Sequence, residues 1–84
     1  MESEIFIELT FTDVDCFLTH VKRDSPLRAK LLTSQVLSNG WPTNAIHCSE
    51  RQAIELLSVA RAHCPEAVKR VRQGLSDAGV LGQH

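Results

Sequence analysis

Eighty-four residues make one small domain (1–84), and a chain this short buries only ~60–65% of the surface its unfolded form exposes. Nine Lys and Arg against ten Asp and Glu give a net charge of −1, which lacks the strongly basic balance of a dedicated nucleic-acid binder. Apolar residues at 43% and charged residues at 23% are ordinary globular values that argue against disorder.

No apolar run approaches the ~18–20 residues that span a bilayer, so no membrane association is expected. Met1-Glu2-Ser3-Glu4 is acidic and lacks the pattern of a secretory signal. Three cysteines are an odd, sparse set that does not read as a disulfide framework. Together these features predict a cytoplasmic location.

Residues 4 to 11 alternate, with Ile5, Ile7, Leu9 and Phe11 on one side and Glu4, Glu8 and Thr10 on the other, as in a half-buried strand. Phe6 breaks the polar side and calls for cover by another element. Thr12 starts the first helix, because Thr12-x-x-Asp15 resembles a capping box, and Asp13 and Asp15 suit the positive helix end. Val14, Phe17, Leu18 and Val21 form its buried stripe.

Ser25-Pro26 opens a second helix, whose apolar side is Leu27, Leu31, Leu32, Val36 and Leu37, and Asn39-Gly40 closes it. Gly40 to Asn44 is a loop by its breakers. Ala45-Ile46-His47-Cys48 is too short for its pattern alone to assign; it is the candidate second strand, since the first strand needs a partner for its backbone groups. A parallel pairing would make the two intervening helices a right-handed crossover.

Ser49-x-x-Gln52 is a capping box for the third helix, which turns Ala53, Ile54, Leu56, Leu57 and Ala60 inward and ends near His63, ahead of Pro65. The fourth helix starts at Cys64-Pro65 and carries Ala67, Val68, Val71, Leu75 and Ala78. Gly74 weakens it by ~1 kcal/mol relative to Ala, and Gly79 ends it. Residues 80–84 form a frayed tail, from which Val80 and Leu81 could dock. The expected fold class is α+β, mostly helical: four short helices on a minimal two-stranded sheet, in the order β-α-α-β-α-α.

The chemistry-bearing residues are few. Each cysteine has a histidine close by in sequence: Cys16 with His20, His47 with Cys48, His63 with Cys64. Thiolate and imidazole are preferred zinc ligands, and the Cys16/His20 face points away from the buried stripe. The other two pairs flank the third helix, ~22 Å apart at 1.5 Å rise per residue, so one metal cannot reach both and a Cys48–Cys64 disulfide is ruled out. At most one of those pairs can join Cys16 and His20. Without a Cys-x-x-Cys spacing, no metal and no cofactor is expected.

Lys69, Arg70 and Arg72 lie on the outer face of the fourth helix, where Arg61 or Arg28 could extend them into a phosphate-binding patch. The overall charge and the scarcity of aromatic stacking platforms count against nucleic acid. Catalytic signatures are absent. Asp13 and Asp15 read as helix-start acids, and Cys48 beside His47 is the one nucleophile worth testing.

Trp41, held between Gly40 and Pro42, reads either as a lid on the core or as an anchor for a partner. The expected function is a non-enzymatic protein-interaction or regulatory module whose binding residues are Trp41, Lys69, Arg70 and Arg72. The partner is a protein, and a weak homodimer through the edge of the first strand is a further expectation. A nucleic-acid-associated role through the basic patch is the alternative, and a metal or thiol site is the third.

Overall fold

The computed structural model describes residues 4–37 and 43–80. Alternation places Ile5, Ile7 and Leu9 on the buried face of β1 (Ile5–Thr10), with Phe6 and Glu8 exposed on the other. β1 pairs with β2 (Thr43–Cys48) in antiparallel register, Ile5 opposite Cys48 and Ile7 opposite Ile46. The parallel crossover is therefore not formed. Ile46 and Cys48 complete the buried face, since side chains alternate across a strand.

The first helix begins earlier than the sequence suggests. α1 (Phe11–His20) is capped by Thr10, whose hydroxyl accepts the Asp13 N–H while the Asp13 carboxylate accepts the Thr10 N–H. Thr10-x-x-Asp13 is thus the capping box, and Thr12-x-x-Asp15 is not. Because the chain turns helical at once, Phe11 leaves the strand's inward face and stands 54% exposed. Val14 and Phe17 remain buried as expected, with Val21 just beyond the helix.

α2 (Pro26–Leu37) starts with the Ser25 hydroxyl accepting the Leu27 N–H and donating to the Glu55 carboxylate. Leu27 and Leu31 are buried, whereas Leu32 faces outward. The side chains of Val36 and Leu37 lie outside what the structure describes, as do Asn39, Gly40 and Trp41. α3 (Glu50–His63) carries the expected Ser49/Gln52 capping box. Its core face is Ala53, Leu56, Leu57 and Ala60; Ile54 is exposed instead.

α4 (Pro65–Asp77) buries Ala67, Val71 and Leu75, while Ala78 is exposed. It ends in a Schellman motif: Gly79, at φ 81°, donates to the Ser76 carbonyl and Val80 to the Leu75 carbonyl. Val80 packs on the core, and Leu81 lies outside the described residues.

Among the described residues the fold is α+β, with four helices and a two-stranded sheet in the order β-α-α-β-α-α. The helices cover one face of the sheet, α4 lying along β1 and α2 along β2. The core sits between the layers around Phe17, Ile7, Leu9, Leu27, Leu31 and Leu56. No helix among the described residues is long and apolar enough to cross a membrane.

Candidate functional site

Among the described residues, three places gather side chains that are more than packing. The first is the outer face of the sheet. The register sets Phe6 opposite His47. The His47 carbonyl accepts a 2.7 Å hydrogen bond from Lys30 Nζ on α2, and Gly74 of α4 lies beside the Phe6 carbonyl. Both carbonyls thus face away from the partner strand, and Phe6/His47 is a pair in which the side chains stand closest. Their rings meet edge-on at 4.2 Å, and the Glu4 carboxylate lies 3.9 Å from the imidazole.

Among the described residues no element covers Phe6. It is 55% exposed, at the lip of a depression between sheet and α4 lined also by Glu8, Ala45, Gln73, Gly74 and Asp77. Arg70 reaches the same depression, but its guanidinium is already committed.

That commitment is the second place. Asp13 is buried at the start of α1 and pairs with Arg70 of α4 through both carboxylate oxygens: Nη2 donates to Oδ1 at 2.8 Å and Nε to Oδ2. Burial pushes the Asp13 carboxyl up, but the hydrogen bonds from Arg70 and Thr10 and the adjacent positive charge outweigh it, holding it below the ordinary range. The same pairing holds the Arg70 guanidinium all the more firmly charged.

The basic patch therefore loses its middle member. Lys69 and Arg72 remain exposed beside a groove with Pro65, Val68, Gln73 and Ser76, while the half-buried Arg70 is turned to the Asp13 carboxylate. Asp13 is likewise a structural acid and not half of a dyad with Asp15.

The third place joins the first helix to the junction of the last two. Cys16 and Cys64 form a disulfide, with Cα atoms 6.2 Å apart. This corrects the expectation of unpaired cysteines: Cys48–Cys64 is indeed not the pair, but Cys16–Cys64 is. One turn along α1, His20 stacks on His63 with ring centroids 4.1 Å apart and planes at 5°. The Cys16/His20 face thus meets His63 and Cys64, one of the two pairings that geometry allowed.

Cys48 is the free cysteine, and burial pushes its thiol up to about 11. It faces the core while His47 faces outward, so the two form no nucleophile and base. Trp41 lies outside the described residues.

Phe6 was legible in the sequence as the apolar residue on the polar side of a strand. Asp13–Arg70 and Cys16–Cys64 were not, since partners 57 and 48 residues apart leave no local pattern. Compared with protein-family models, with curated proteins and with solved structures, the chain matches none.

Proposed function

We propose that this protein is a non-enzymatic interaction module that docks a basic, apolar segment of a partner protein on the outer face of its sheet. The observation that carries the reading is Phe6: a large aromatic left 55% exposed, beside a depression, on a sheet whose other face is closed. Exposed aromatics at such positions serve as interface anchors.

Charge specifies the partner. Glu4, Glu8 and Asp77 surround Phe6 with exposed carboxylates, and the cation at the lip, Arg70, is neutralised by Asp13. A segment offering one or two apolar side chains flanked by Lys or Arg complements that surface.

The strand-edge homodimer is the weaker reading, because Gly74 of α4 occupies the space beside the Phe6 carbonyl that an incoming strand would need. Nucleic acid is weaker too, since Arg70 is withdrawn from the patch and only Lys69 and Arg72 remain of it. A cytoplasmic location stays part of the proposal. A Cys16–Cys64 bridge in that compartment would be of the transient, redox-responsive kind.

Fluorescence anisotropy with two labelled peptides of equal length, one alternating Leu and Lys and one alternating Leu and Glu, tests the reading. The basic peptide should bind, and Phe6→Ala and Glu8→Lys should each weaken it by about tenfold, ~1.4 kcal/mol, without lowering the melting temperature. Equal binding of the acidic peptide, or indifference to Phe6→Ala, would sink the proposal.

A further inference from the structure

Cys16, His20, His63 and Cys64 are separated by up to 48 residues yet meet as two rungs, one of sulfur and one of imidazole. The rungs lie one helical turn, about 6 Å, apart along α1. Both imidazoles are exposed, which leaves the cluster open to an ion from solution. Two thiolates and two imidazoles are the donor set of a closed, four-coordinate zinc site. With the sulfurs bonded to each other that set is incomplete, and among the described residues no group of three or more His, Cys, Asp or Glu is placed to hold a metal ion in this disulfide-bonded form.

We propose that the reduced chain holds one zinc ion between Cys16, His20, His63 and Cys64, and that disulfide formation expels it. A tetrahedral ion with zinc–sulfur bonds of ~2.3 Å sets the two sulfurs about 3.8 Å apart. With the Cα atoms already at 6.2 Å, rotation about the two Cα–Cβ bonds supplies that separation. The imidazoles swing from their stack so that one nitrogen of each faces the ion. Cys16 lies on a helix held against the core by Val14 and Phe17, and Cys64 sits between α3 and α4, so the fold presents the two residues at a separation an ion can bridge.

The chemistry balances. A dithiol reductant gives two electrons and two protons to the Cys16–Cys64 bond and becomes a disulfide itself; zinc then displaces the two thiol protons. In the reverse direction a small disulfide, such as oxidised glutathione, accepts two electrons from the two thiolates and takes two protons from water. It leaves as two thiols, the Cys16–Cys64 bond forms, and the ion departs. The site would thus report the thiol–disulfide balance of its surroundings. It lies apart from the Phe6 surface and does not depend on the docking proposal.

Cobalt(II) titration of the full chain, fully reduced and fully oxidised, decides the matter, with far-ultraviolet circular dichroism on the same samples. The reduced chain should take one equivalent of Co2+ with tetrahedral visible bands and thiolate-to-cobalt charge transfer, and zinc should displace it. The oxidised chain should show neither signal. His20→Ala and His63→Ala, both at exposed positions, should each weaken binding by about tenfold or more through loss of a ligand, whereas Cys48→Ala should leave it intact. A reduced chain that unfolds and refolds on adding zinc also supports the site. A reduced chain that takes no cobalt, whether folded or unfolded, overturns it. So does an oxidised chain that binds equally, or histidine variants that bind unchanged.

Discussion

Asp13 holds three parts of the fold at once. Its carboxylate accepts the Thr10 N–H that ends β1, occupies the third position of the α1 capping box, and receives the Arg70 fork from α4. Removing Arg70 leaves a buried carboxylate with only its backbone partner. Arg70→Ala should cost about 2–3 kcal/mol, less than the ~3–5 of a fully buried pair because the Arg70 side chain is one-third exposed.

The pH dependence has a definite sign. The folded Asp13 titrates below its unfolded value, so the unfolded chain takes up the proton first. The stability it contributes is whole above about pH 4 and drains away as pH falls through the lower folded value. Melting temperatures measured across the acid range should therefore fall less steeply for Asp13→Asn than for the natural chain. An unchanged slope would mean that the Arg70 and Thr10 contacts do not favour the ionised form.

Among the elements, α4 is the one whose sequence is most easily misread. Gly74 weakens an isolated helix by ~1 kcal/mol, so Gly74→Ala looks like a stabilising change. In the fold, a Cβ at position 74 would meet Ile7 Cγ1 and the Phe6 carbonyl oxygen, both at 2.8 Å. One of these is backbone in a paired strand and cannot yield cheaply. Gly74→Ala should therefore destabilise by about 1–3 kcal/mol, the cost of overpacking, read as a fall in the urea midpoint. A rise in the midpoint would place α4 farther from β1.

The inward strand residues point the same way. Ile7 is fully buried, and Ile7→Ala should cost about 2–5 kcal/mol, whereas Phe6→Ala on the opposite face should leave stability almost unchanged. The pair tests the register of β1 directly.

At the level of the whole molecule, a chain this short buries a smaller fraction of its surface than a larger domain, so a single cross-link weighs heavily in its stability. The Cys16–Cys64 bridge ties α1 to the start of α4 across a separation of 48 residues, nearly the whole helical layer. By loop-closure entropy such a link contributes up to about 4 kcal/mol, and each ~1 kcal/mol moves the melting point of a domain this size by about 4–8 °C. Melting in the presence of a reductant and a chelator should fall by tens of degrees. Equal melting of the oxidised and reduced chains would show that packing across α1, α3 and α4 suffices.

Local pattern was enough for the element order, the Ser49/Gln52 cap, the inward Ile5, Ile7 and Leu9 of β1 (though not Phe11) and the end of α4 at Gly79, because each depends on neighbours within a few residues. It also marked Phe6 as out of place. It misjudged the start of α1, where Thr10/Asp13 and Thr12/Asp15 offer the same spacing and only the chain's departure from the sheet chooses between them. It placed Arg70 in a basic patch, because the same outward arc of α4 also faces the end of β1 once the layers pack. The antiparallel sense of the sheet, the Asp13–Arg70 pair and the meeting of Cys16 and His20 with His63 and Cys64 were decided by tertiary structure alone. Each joins residues far apart in the chain, and periodicity within a helix says which side a residue is on but not what another element brings to it.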